Sequence, residues 1–159
     1  MACFALLSCG KQSAPVSLGW EFGRCDDGER SRSVAYLTIN NLSRHALEAD
    51  WTIYTCMEGM SPVAEVPEDA EVWEYQIQGS YHSIKPTANY QPIPAGESRT
   101  YTIRYRGSAI RENIHPEGSF IVFDKDDKPI SIDITCQPYT RREQMMRGEL
   151  AEYPFTYAD

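Results

Sequence analysis

The side chains best suited to nucleophilic or metal chemistry are three histidines, His45, His82 and His115, and five cysteines, Cys3, Cys9, Cys25, Cys56 and Cys136. Their spacing assembles no site. There is no Cys-x-x-Cys and no His/Cys pair at metal-ligand spacing. Neither a G-x-S-x-G elbow nor an H-E-x-x-H or P-loop motif occurs. The adjacent carboxylates Glu68-Asp69 and Asp126-Asp127 stand in polar, turn-like stretches. No apolar pocket beside them is readable that would raise one pKa for glycoside hydrolysis. Asp124, Asp126 and Asp127 alternate with Lys125 and Lys128, which reads as a hairpin tip rather than a Ca2+ loop. Asp26-Asp27-Gly28-Glu29 reads as a turn in the same way. The expectation is a chain with no catalytic residue, no metal and no cofactor.

Aromatic side chains remain: ten Tyr, three Trp and five Phe. Sugars dock their apolar C–H faces on exposed rings while polar neighbours hold the hydroxyls. Trp20, Trp51 and Trp73 each share an alternation face with aliphatic residues, so they are expected in the core. Tyr54, Tyr81, Tyr90 and His82 are the candidate carbohydrate-binding residues, with Tyr81 and Tyr90 as the exposed platform. Cys136 shares a face with Ile130, Ile132 and Ile134, whereas Cys56 lies opposite Trp51 and Ile53. The two are poor disulfide partners and read as free thiols acting as small hydrophobes.

The elements that must carry these residues repeat with period two, the strand period. Alternating runs cover residues 16–22, 32–40, 47–53, 72–78, 101–106 and 130–135, and residues 119–123 are nearly all apolar. Trp73, Tyr75 and Ile77 share one side of their run, with Glu74 and Gln76 on the other. Gly79-Ser80 then offers a tight reversal into residues 81–84. Beyond it Tyr81, Ser83 and Lys85 fall on one side and His82 and Ile84 on the other, with Ile84 buried. Turn signals separate the runs, and residues 57–70 read as a long loop. The fold class is all-β, an antiparallel two-sheet sandwich of seven to nine strands, the immunoglobulin-like or carbohydrate-binding-module-like range. Residues 140–150 are rich in helix formers and predict a short C-terminal helix or linker.

With 159 residues, the chain is one domain's worth, and the roughly 250 residues of a catalytic (β/α)8 barrel do not fit. Fifteen Lys and Arg against 23 Asp and Glu give −8, which argues against a nucleic-acid partner. No apolar run approaches the roughly 20 residues of a membrane span.

Leu6-Leu7-Ser8-Cys9-Gly10 resembles the bacterial lipobox. That resemblance implies lipidation of Cys9, removal of the segment before it, and a lipid-anchored place in the bacterial cell envelope, facing the periplasm or the cell surface. Residues 1–15 are then signal and tether, 16–139 the sandwich, and 140–159 a connector to a possible following domain. No Lys or Arg precedes the apolar stretch, which departs from the usual signal pattern.

An ordered set of stretches resembles the N-terminal β-sandwich domain of bacterial chitobiases and β-hexosaminidases of glycoside hydrolase family 20. The set runs from Leu18-Gly19-Trp20-Glu21 through Leu37-Thr38-Ile39-Asn40-Asn41-Leu42-Ser43 and Trp51-Thr52-Ile53-Tyr54. It continues through Gly79-Ser80-Tyr81-His82-Ser83-Ile84-Lys85-Pro86-Thr87, Ile93-Pro94-Ala95-Gly96-Glu97-Ser98, Pro116-Glu117-Gly118-Ser119-Phe120 and Lys128-Pro129-Ile130. Residues 57–70 and 104–113 depart from the pattern. The resemblance implies a non-catalytic carbohydrate-binding or accessory domain. Its partner is an N-acetylglucosaminide or chitin-like glycan, or an adjacent catalytic domain. The family's catalytic pair belongs to a barrel absent from these residues. The competing expectation is a structural or protein-interaction sandwich of adhesin or assembly type without glycan binding.

Overall fold

In the computed structural model, which describes residues 14–23, 32–58, 61–106 and 116–137, the alternating runs become ten strands. These are β1 (Val16–Gly23), β2 (Arg32–Asn41), β3 (Trp51–Cys56), β4 (Ser61–Pro62), β5 (Val72–Gln78), β6 (Tyr81–Pro86), β7 (Ser98–Arg106), β8 (Glu117–Phe123), β9 (Asp126–Ser131) and β10 (Asp133–Gln137). They form two five-stranded sheets, ordered β10-β1-β2-β7-β4 and β5-β6-β3-β8-β9. The described residues contain no helix, and the segment expected to carry one, 140–150, lies outside them. Cys9, Cys25 and His115 lie outside them as well.

The ten strands exceed the seven to nine expected, the run 130–135 is divided at Ile132 between β9 and β10 in different sheets, and three further readings need correction. One pair, β1 with β10, is parallel rather than antiparallel. The chain reaches β10 by crossing from the second sheet at buried Ile132, and so enters the first sheet in the direction of β1. Residues 47–53 are not one strand: Leu47 makes an isolated bridge to Ile93, and β3 starts only at Trp51. Within the expected 57–70 loop, β4 pairs with β7 through Ser61↔Arg106 and Pro62↔Tyr105.

The core lies between the sheets. β1, β2 and β7 contribute Val16, Leu18, Trp20, Ala35, Leu37, Ile39, Tyr101, Ile103 and Tyr105. Facing them are Trp51, Ile53, Ile84 and Ile121 of the second sheet. All three tryptophans are buried, Trp20 and Trp51 on the core faces that alternation predicted. Trp20 meets Tyr105 edge-on at 6.1 Å, and Trp51 meets Tyr90 edge-on at 5.8 Å.

Two polar groups inside this apolar volume organise it. Asn41, fully buried at the end of β2, donates from Nδ2 to the carbonyls of His45 (2.8 Å), Ile93 (2.9 Å) and Pro94 (3.1 Å). Its Oδ1 accepts from the Ser43 amide (3.0 Å) and hydroxyl (2.8 Å). One amide side chain thus satisfies the loop after β2 and the loop before β7 together. Gly96, at φ 74°, takes the left-handed turn that lets its amide reach the Asn41 carbonyl at 3.0 Å. The second group is Glu74, also fully buried: its Oε1 lies 2.5 Å from His82 Nδ1, and its Oε2 accepts from the Tyr105 hydroxyl across the sandwich.

Removing Asn41 breaks five side-chain hydrogen bonds. The carbonyls of His45, Ile93 and Pro94 keep a second donor (the Ser43 hydroxyl, the Leu47 amide and the Glu97 amide), while the Ser43 amide loses its acceptor. Each bond lost is worth about 1 kcal/mol. Asn41→Ala should therefore lower unfolding free energy by about 2–4 kcal/mol in urea titration. A loss below about 1 kcal/mol would contradict this role. Burial raises the Tyr105 hydroxyl well above the ordinary tyrosine range, with Glu74 adding to it, and burial raises Tyr90 and Tyr101 as well. Unfolded tyrosine titrates near pH 10. Above that, the unfolded chain gives up protons that the native chain keeps, so stability falls as pH rises. The slope is about 1.4 kcal/mol per pH unit for each such tyrosine. Urea midpoints should hold up to about pH 9.5 and then drop. Tyr105→Phe should lower the midpoint at pH 8 but make the alkaline fall shallower.

Candidate functional site

The hairpin of β5 and β6 decides which rings reach the surface. Gly79, at φ 56°, makes the reversal expected from its sequence. Pairing then runs Gln78↔Tyr81 and Gln76↔His82, so Ile77 is the extra residue of a β-bulge. A one-residue bulge inverts the phase of everything beyond it. Tyr75 pairs with Ser83 and Glu74 with Ile84. Glu74 therefore points into the core, while Tyr75 and Ile77 are exposed at 39% and 50%. Trp73 and Tyr75 do share a side with Glu74 opposite, as expected, but it is the Glu74 side that faces the core. Trp73 now belongs to the outer phase, yet it is buried at the sandwich edge, where its indole N–H donates to the Val63 carbonyl at 3.3 Å.

A row of residues in register crosses the outer face of the whole second sheet: Tyr75, Ser83, Tyr54, Phe120 and Ser131. At the inter-strand spacing of about 4.8 Å, four steps make it about 19 Å long. Tyr54 stacks on Phe120 at 5.2 Å and 24°, and on Tyr81, its diagonal neighbour, at 5.8 Å and 9°. These are offset-parallel geometries that add to area burial. β3 lies between β6 and β8, so the two partners flank Tyr54 on opposite sides. Tyr54 is half-buried and acts as the prop of the stack. Tyr81, exposed at 37%, keeps ring surface for a ligand, and so does Tyr75. Ser83 faces outward yet is buried between its neighbours Tyr75 and Tyr54.

Of the four residues picked from sequence, the structure brings Tyr54 and Tyr81 together and removes the other two from the surface. Tyr90 is no platform. It is buried on Trp51, with its hydroxyl donating to the Leu47 carbonyl at 2.9 Å, because the loop after β6 folds its ring under the sandwich end. His82 is wholly buried on Ile84's side of β6 and faces Glu74, out of reach of a surface sugar. Tyr75 and Phe120 were missed. Phe120 sits in a run too apolar to show a face, and Tyr75 was misassigned because the bulge is invisible in the alternation.

The remaining chemistry-bearing side chains are dispersed. Among the described residues, no group of three or more His, Cys, Asp or Glu side chains is placed to hold a metal ion. Asp124 and Lys125 form the turn between β8 and β9, and Asp126 and Asp127 follow it, all exposed. Cys56 and Cys136 are free thiols, with Cys56 exposed beside Tyr81 in register.

A family model described as "Putative carbohydrate binding domain", CHB_HEX, matches residues 18–133. Among solved structures, an exo-β-N-acetylglucosaminidase of glycoside hydrolase family 20 from Vibrio harveyi is similar at a TM-score of 0.53 and 14% identity. The likeness covers 79% of this chain and 18% of that one. A family 18 chitinase from Chromobacterium violaceum is similar at 0.50 and 16% identity, covering 76% of this chain and 18% of that one. At these identities the likeness shows the fold, a β-sandwich of the type carried by those enzymes, and the chain spans under a fifth of their length. No curated protein sequence matches. Because the family match runs from Leu18 in β1 to Asp133 in β10 and so takes in both sheets, the chain belongs to the CHB_HEX carbohydrate-binding domain family of chitobiases and hexosaminidases.

Proposed function

We propose that this domain binds glycan on the outer face of its second sheet, through Tyr81 and Tyr75, as a non-catalytic accessory domain in polysaccharide breakdown. The observation that carries the reading is Tyr81: an exposed ring stacked on Tyr54, which Phe120 backs in turn. A ring fixed in advance loses little conformational entropy when a sugar docks on it. Lys85 and Gln78 are exposed beside the rings and supply donors for hydroxyl and acetamido groups. Family membership favours a carbohydrate ligand, and an N-acetylglucosaminide or chitin-like polymer is the ligand class we assign. The parent protein is read as a β-N-acetylhexosaminidase, with the catalytic groups in another domain. The lipobox-like Cys9 supports anchoring of that protein by lipid in the bacterial cell envelope.

Retention on chitin beads tests the site. Wild type should be retained. Tyr81→Ala should weaken retention about tenfold or more, as expected for loss of a central aromatic contact of 1–3 kcal/mol. Its melting temperature should shift by no more than a few degrees, since the ring is partly exposed. Wild type that is not retained on any glycan would overturn the reading in favour of a structural or protein-interaction sandwich. The chain alone should not turn over a chromogenic N-acetylglucosaminide. Turnover abolished by Glu68→Gln or Asp69→Asn would contradict the accessory role.

A further inference from the structure

Along the side where the first sheet ends in β4 and the second in β5, the two edges share no strand pairing and touch through the Trp73 indole on the Val63 carbonyl. A cleft of about 660 Å3 opens there, lined by residues 61–64 and by Trp73, Glu74, Tyr75, Gln76 and Arg106. Its volume falls within the range of about 300–1,000 Å3 typical of small-ligand sites. Two charged residues line it, and they differ in availability. Glu74 is fully buried, with one oxygen on His82 and the other on Tyr105. Arg106, at the end of β7, is exposed and has no carboxylate within ion-pair distance among the described residues. Arg99, on the same strand, does have such a partner, Glu71 at 2.7 Å. The charge that a ligand in the cleft can reach is therefore the Arg106 guanidinium, on a protein whose formal net charge is −8.

The walls add two further features. Tyr75 is exposed at 39%, and Gln76 is exposed with its amide nitrogen bonded to the Gly79 carbonyl, leaving its oxygen as an acceptor. Trp73 closes the floor and is itself occupied by Val63. A ring face for C–H groups, an acceptor for a hydroxyl and a planar fork for a carboxylate stand around one ligand-sized space.

From this arrangement we infer a second ligand site, distinct from the Tyr81 face, that takes a saccharide bearing a carboxylate, with the carboxylate on Arg106 and the sugar ring against Tyr75. The neutral polymer proposed for the outer face does not use this charge, so the two sites separate by ligand chemistry. Because Tyr75 stands on the wall between them, Arg106 is the residue that distinguishes them.

Methyl β-D-glucuronide and methyl β-D-glucoside differ only in a carboxylate for a hydroxymethyl group. Titrated into the 15N-labelled chain at pH 7, the glucuronide should bind about tenfold more tightly, through a charge-assisted pair. Its amide shifts should centre on Ala64, Gln76 and Arg106. Arg106→Gln should bring the two affinities together with an unchanged melting temperature. Arg106→Lys, which keeps the charge without the fork, should retain part of the difference. Tyr81→Ala should leave the difference intact, so loss of chitin retention and loss of this site are read separately. Equal affinities in wild type would overturn the inference, as would acetate binding as tightly as the glucuronide. Tighter binding of tetraglutamate at the same amides would overturn it in favour of an acidic protein segment.

Discussion

A carboxylate between two apolar sheets is the constraint around which this sandwich is arranged. Glu74 cannot be left there bare, because an unpaired buried charge costs several kcal/mol. It is met by His82 from the adjacent strand and by the Tyr105 hydroxyl from the opposite sheet. The three residues come from β5, β6 and β7, so the contact ties the edge of the second sheet to the first. Once Glu74 faces inward, period two forces Tyr75 outward, and once His82 faces inward, Tyr81 follows. The buried trio and the exposed rings are two sides of one register.

That register depends on Ile77. Without the bulge, Gln76 would pair with Ser83 and Tyr75 with Ile84, and the ring would belong to the core. With it, the Ile77 side chain is left half in water and the strand beyond it is rephased. Such a bulge is common at sheet edges, where it re-aims a side chain. Here the re-aimed side chain is Tyr75, which borders both the ring row and the cleft at the open side.

Asn41 does comparable work at the other end. The Asn-Asn-Leu-Ser stretch that resembled the family reads in the structure as a loop clamp: the second Asn satisfies carbonyls from two loops, and the first bridges Ser17 and Ser98 by side-chain hydrogen bonds. A motif of this kind marks fold rather than ligand. The distinction matters for this chain, because most of the residues that carry the family resemblance are structural.

Alternation in the sequence by itself determined the sandwich, the burial of Trp20 and Trp51, the Gly79 hairpin and the outward side of Tyr81, because each follows from period two and local turn chemistry; Trp73 is buried by the segment after β4 instead. It also placed His82 on Ile84's side, although a buried partner for that ring was not readable. Only the tertiary structure decided that β10 runs parallel to β1, that Tyr90 folds under Trp51, and that Glu74 rather than Tyr75 enters the core. These depend on contacts between residues far apart in sequence: a crossover between sheets, a loop closing on the sandwich end, a charge met by a hydroxyl from the other sheet. A bulge of one residue leaves no mark in composition or periodicity, because its cause is the pairing it serves. The side of every ring beyond it is therefore settled by the partner strand and not by the strand's own residues.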